Sequence, residues 1–147
     1  LLPQLDLPRS PYNLDLGAGA GLPGVPLRIV WPAGEYLLVE PRQKRGLFLH
    51  HAVRSLRLQR TYVRICRAED LHRPQADLIL SRAMCPWTEL LPFVRPMLRP
   101  RGYVLVFSNQ SWDPDQKCPT GWKLDREMAY PVGPDGDRYF WVFSPIT

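Results

Sequence analysis

The stretch Leu14-Asp15-Leu16-Gly17-Ala18-Gly19-Ala20-Gly21-Leu22-Pro23-Gly24 constrains this chain more than any other. Two leucines flank a carboxylate, and four glycines then fall within eight residues. Glycine-dense backbone is costly to order unless it takes positive φ or must approach something closely. A buried strand that breaks on glycines into a helix is how α/β proteins build a nucleotide or cofactor site. The stretch therefore predicts a strand end, a tight loop and a helix start.

The flanking sequence supplies the matching elements. Tyr12 to Leu16 reads as the strand, and Pro23 to Val30 as the helix. Pro23 and Pro26 fit there because first-turn amides have no intrahelical partner. Glu35 to Val39 is a second strand, closed by Glu40. Pro41 to about Leu58 reads as a longer helix, with Leu49, Ala52, Val53 and Leu56 as its apolar stripe. Thr61–Cys66 and Ala76–Leu80 are further strands, the latter apolar enough for burial on both faces. Pro86 to Leu98 is a proline-broken helix, Pro100-Arg101-Gly102 a turn, and Tyr103 to Phe107 the most apolar strand. Trp122–Tyr130 and Arg138–Phe143 close the chain as two strands joined by a turn-rich segment. Strand–helix alternation followed by a hairpin implies an α/β three-layer, Rossmann-like sandwich, mostly parallel with an antiparallel C-terminal edge. At 147 residues the chain suits one core, with residues 1–11 as an extended arm and 12–147 as a single domain.

Charge is unevenly placed. Between residues 42 and 73 there are nine Lys and Arg against two acids, whereas residues 83–147 balance. One basic sector on a balanced body is the footprint of a polyanion partner. No apolar run is long enough to span a bilayer. Cys66, Cys85 and Cys118 lack metal or redox spacing, and His50, His51 and His72 do not complement them. The expectation is a cytoplasmic monomer with reduced thiols, no metal and no membrane segment.

Two cofactor frames fit the loop. Gly19-Ala20-Gly21-Leu22-Pro23-Gly24 matches G-x-G-x-x-G, with Glu40 about twenty residues on, as in dinucleotide sites. That frame runs the strand through Gly17 and leaves Asp15 unused. The alternative, Asp15-x-Gly17-x-Gly19-x-Gly21 with Glu40 ending the second strand, uses both acids. It is the pattern of S-adenosylmethionine-dependent methyltransferases, in which an ionised carboxylate accepts the ribose hydroxyls. It is the preferred frame.

The segment Asp15-Leu16-Gly17-Ala18-Gly19-Ala20-Gly21-Leu22-Pro23-Gly24-Val25-Pro26-Leu27 resembles the cofactor loop of the GidB family, bacterial methyltransferases of a guanine N7 in 16S ribosomal RNA. Glu40 to Leu49, Arg67-Ala68-Glu69 and Asp77 to Ala83 are similar to further family segments, in order and spacing. Asp137-Arg138 before the last strand also fits. After the fifth strand the family usually shows Lys-Gly, where this chain has Phe107-Ser108-Asn109-Gln110. The resemblance implies S-adenosylmethionine contacts at Gly17, Leu22, Ala68, Glu69 and Arg82. Asp15, Gly19, Gly21 and Glu40 join them from the residue reading above. Glu69 as a turn cap and Arg82 as an ion-pair partner of Asp15 are the structural alternatives.

The resemblance also implies ribosomal RNA or the small ribosomal subunit as partner. Arg42, Lys44, Arg45, Arg54 and Arg57 are then the phosphate-facing candidates. Trp87 and Trp112 are candidates either for stacking on an unpaired base or for the core. Guanine N7 carries an in-plane lone pair and no proton. Its methylation needs orientation and no general base, so no residue is singled out as catalytic. The alternative function is a methyltransferase-fold module that binds the cofactor without methylating RNA.

Overall fold

The computed structural model describes residues 12–72, 74–132 and 136–146. The arm expected at residues 1–11 and most of the turn expected before the last strand lie outside them. In chain order the elements are β1 (Tyr12–Leu16), α1 (Gly24–Val30), β2 (Glu35–Val39), α2 (Gln43–Ser55), β3 (Thr61–Arg64), β4 (Ala76–Ser81), α3 (Trp87–Val94), β5 (Leu98–Ser108), β6 (Trp122–Pro131) and β7 (Asp137–Pro145). Short 3₁₀ turns at Ala68–Asp70 and Arg95–Met97 complete the path.

All seven strands form one sheet, in the order β3-β2-β1-β4-β5-β7-β6. β1 to β5 are mutually parallel, and β7 runs antiparallel to both of its neighbours. The alternation along β2 shows how both faces are filled. Leu37 and Val39 join α3 residues Leu90, Leu91 and Val94 in the larger core. Tyr36 packs on the other face with Leu27 of α1, and Leu38 with Leu49 of α2. The result is the expected three-layer α/β sandwich, of the Rossmann-like methyltransferase type.

Three expectations shift. First, α2 starts at Gln43 instead of Pro41, because Arg42 is extended and its amide is held by Glu40. The helix stops at Ser55 instead of Leu58, since Arg57 turns to φ +52°, and Leu56 is left 50% exposed. Second, Pro100-Arg101-Gly102 lies inside β5. The extra residues there sit opposite β4 as an irregularity between the pairs Ala76–Leu98 and Leu78–Tyr103. Third, β3 ends at Arg64, short of Cys66.

A buried arginine locks the α1 side of the sheet. Arg28 Nε donates to Thr61 Oγ1 at 3.0 Å, and Nη1 donates to the Pro32 and Ala33 carbonyls at 2.8 and 2.9 Å. Nη2 donates to the Gln59 carbonyl, and the guanidinium lies over the Tyr36 ring, 4.9 Å from its centre. These bonds tie α1 to the chain entering β2 and β3. No helix among the described residues is long and apolar enough to cross a membrane.

Candidate functional site

Strand register assembles the site. Leu16 pairs with Val39 and Ser81, Val39 with Arg64, and Ser81 with Val106. Gly17, Glu40 and Arg82 therefore leave the sheet in one row at its carboxyl edge, level with Phe107, which is still paired in β5. That edge, where strand order reverses between β1 and β4, is where open α/β sheets bind ligands.

The glycine loop is pinned at its root. The amides of Gly17 and Ala18 both donate to the Val39 carbonyl at 2.9 Å. Gly17, Gly19 and Gly21 all hold positive φ, at +72°, +57° and +86°. The four glycines nonetheless serve two purposes. A Cβ on Gly24 would stand 2.3 Å from Asp15 Oδ2, and one on Gly21 2.7 Å from Val25 Cγ2. Those two glycines are demanded by packing. At Gly17 and Gly19 the nearest atoms are 3.5 and 3.8 Å away, at ordinary contact distance, so it is their positive φ that calls for glycine.

The two acids are placed differently. Asp15 lies behind the loop, fully buried, with Oδ2 accepting the Gly24 amide at 3.0 Å and Oδ1 buried without a partner. Burial pushes its pKa up to about 7, against the Gly24 hydrogen bond and the Arg82 charge, which lower it. No ion pair joins Asp15 to Arg82 among the described residues. Glu40 lies at the loop's mouth, 3% exposed. Its Oε2 accepts the Gly19 amide and its Oε1 the Arg42 amide, both at 2.9 Å. Each oxygen keeps a second acceptor direction. Glu40 thus ties the loop after β1 to the start of α2.

The remaining sequence candidates spread along the same edge. Ala68 and Glu69 form the 3₁₀ turn beyond β3, the alanine buried and the glutamate exposed, and the glutamate makes no capping bond. Leu22 and Arg82 are exposed. Of the five basic candidates, Arg45 is brought to the loop: its Nη1 lies 4.0 Å from where a Cβ on Gly19 would stand. Arg42, Lys44, Arg54 and Arg57 are exposed along or beside α2. Among the described residues, no group of His, Cys, Asp and Glu is placed to hold a metal.

Beyond Arg82 a cleft of about 900 Å³ opens at the ends of β4 and β5. Arg82, Trp87, Phe107, Tyr130 and Arg138 line it, with the loop from Asn109 to Gln116 as its outer wall. Burial raises the Tyr130 phenol, while the charges of Arg138 and Arg82 lower it. Trp112 and Trp87 do not stand free. Their rings are 5.2 Å apart, and each also meets Trp141 and Phe143. Only the long polar run after β5 hints at this wall in the sequence.

Comparison with known proteins accords with this layout. The family described as rRNA small subunit methyltransferase G, GidB, matches residues 3–120. The ribosomal RNA small subunit methyltransferase G of Nitratidesulfovibrio vulgaris is 47% identical over 99% of this chain and 66% of its own length. That of Oleidesulfovibrio alaskensis is 40% identical over 92% of this chain and 63% of its own. The chain thus spans just under two thirds of the curated relatives it matches. Among solved structures, the ribosomal protein L11 methylase of Lactobacillus delbrueckii subsp. bulgaricus superposes with a TM-score of 0.73 at 12% identity, covering 99% of this chain and 75% of that one. At that identity the superposition carries the fold alone. Sequence relationship over nearly the whole chain carries more, and by it this chain belongs to the GidB family.

Proposed function

We propose that this chain binds S-adenosylmethionine and transfers its methyl group to a guanine N7 of small-subunit ribosomal RNA. The observation that carries the reading is the joining of the glycine loop to Glu40 at the carboxyl edge of the sheet. This arrangement fits the cofactor: a loop without side chains at Gly17 and Gly19 beside a fixed carboxylate with acceptor directions to spare. Asp15, Gly21 and Gly24 act from behind by shaping the loop. Leu22, Ala68, Glu69 and Arg82 border the site, and Arg45 reaches its rim.

When bound, the cofactor supplies a methyl group activated on a sulfonium. The chain's own residues orient the acceptor and exclude water. Guanine N7 has no proton to remove, so no general base is needed. A thiolate nucleophile, as carbon methylation requires, has no support here: burial and neighbouring Glu89 and Glu69 hold the Cys85 thiol above its ordinary range. The cleft beyond Arg82 offers the acceptor base aromatic faces and polar edges beside the cofactor edge.

Calorimetric titration with S-adenosylmethionine tests the first half of this reading. Transfer of labelled methyl to small-subunit RNA lacking the modification, naked and in assembled subunits, tests the second. Saturable binding and labelling at guanine are expected. Binding without any accepting RNA or subunit overturns the enzyme in favour of the cofactor-binding module. No binding at all overturns both.

A further inference from the structure

Glu127 lies on the edge strand β6, outside both the cofactor edge and the cleft. Its Oε1 nevertheless accepts two hydrogen bonds, from the Trp112 backbone amide at 2.7 Å and from Trp141 Nε1 at 3.3 Å. Trp141 is its cross-strand partner in β7 and is nearly buried. Trp112 belongs to the loop between β5 and β6, which has no regular secondary structure over Asn109–Gly121. The carboxylate therefore fastens an irregular loop to the rigid sheet.

The point of attachment is what matters. Asn109, Gln110 and Ser111 line the cleft before Trp112; Asp113, Asp115 and Gln116 line it after. Trp112 itself is not part of the lining; its ring is set among Trp87, Trp141 and Phe143. The loop is thus held at its middle by a ring contact on one side and a charge-assisted hydrogen bond on the other. Among the described residues, the hydrogen bonds of the wall on either side of Trp112 are local: Ser108 Oγ with Gln110, Asp113 Oδ1 with the Asp115 amide, and the Asp113 carbonyl with the Gln116 amide.

We infer that Glu127 is a positioning residue for the methyl acceptor, setting the cleft wall through Trp112 without touching substrate or cofactor. The inference rests on the methyltransferase reading above and adds to it the element that shapes acceptor binding. Releasing the Trp112 amide leaves the wall held at its middle by the ring contact alone, and so loosens it, while leaving Glu40 and the glycine loop intact. Acceptor recognition then suffers and cofactor binding does not.

The test compares E127A and E127Q in the full chain, at a temperature well below either variant's unfolding. Three quantities are measured: tryptic cleavage after Lys117 in the loop, affinity for S-adenosylmethionine, and KM and kcat for acceptor RNA. In E127A, cleavage after Lys117 accelerates, cofactor affinity stays at wild type, and kcat/KM for RNA falls about tenfold, the loss of one charge-assisted hydrogen bond. E127Q keeps an acceptor oxygen and restores most of each value. An active wild type with E127A equal to it in cleavage or in kcat/KM overturns the inference and leaves the enzyme standing. Equal losses in cofactor and RNA binding also overturn it, by making Glu127 a general prop. A wild type that binds cofactor but methylates no RNA overturns the enzyme reading first, and the inference with it.

Discussion

Asp15 carries the plainest consequence at the scale of single residues. Its folded pKa, about 7, stands above the ordinary 3.8. A group whose pKa rises on folding contributes stability below the unfolded value and loses it as pH climbs through the folded one. Wild type should therefore lose stability between about pH 4 and pH 7, by a few kcal/mol, and level off above. D15N keeps an acceptor for the Gly24 amide and cannot ionise, so urea denaturation across that range should give a flatter profile. Much of this neighbourhood was legible in the sequence: the loop, its place after a strand, and Glu40 at the next strand's end all follow from spacing. The division of labour among the glycines was not. Nothing local distinguishes Gly24, crowded by Asp15 nine residues back, from Gly19, where no atom comes nearer than 3.8 Å.

Among elements, the attachment of α1 turns on Arg28. Arg28 is 3% exposed while its apolar neighbours Ile29 and Val30 are open to solvent, the reverse of their hydropathy order. The inversion is illegible locally because its cause, Thr61, lies 33 residues away. R28M removes every donor and leaves Thr61 Oγ1 and the Gln59, Pro32 and Ala33 carbonyls without the guanidinium, so a loss of about 3 kcal/mol or more is expected by urea denaturation. R28K should fall between, since an ammonium cannot reproduce the planar fork. The strands themselves were legible from their apolar runs, and β2 spans Glu35–Val39 as expected. The bounds of α2 were not. They depend on the Arg42 amide being claimed by Glu40 and on Arg57 taking positive φ, and neither leaves a trace in helical periodicity. A close approach fixes the helix's other side, where a Cβ on Gly46 would stand 2.4 Å from Ile65 Cγ1.

Across the whole molecule, charge and shape are arranged around one edge. The basic residues of α2 begin beside Glu40, and the acceptor cleft opens on the far side of the glycine loop. An RNA that reaches both passes over the cofactor edge. If phosphates meet this helix, RNA affinity falls steeply with salt. Replacing Lys44, Arg54 and Arg57 with glutamine should weaken binding at every sequence and lower the log–log salt slope by about one per lost contact. Fluorescence anisotropy at several salt concentrations measures both, and cofactor affinity should not change.

The sheet's outer half has its own logic. β7 follows β6 in sequence yet stands between β6 and β5. β6 therefore has nowhere to pair until β7 arrives, and the two add as one ribbon. That ribbon brings Trp141 and Phe143 to Trp87, and Glu127 to Trp112. On a growing polypeptide the cofactor edge, built from β1 to β4, can take shape well before the acceptor cleft. The edge proposed to hold the cofactor can thus be assembled early, and the proposed acceptor cleft is finished only by β7.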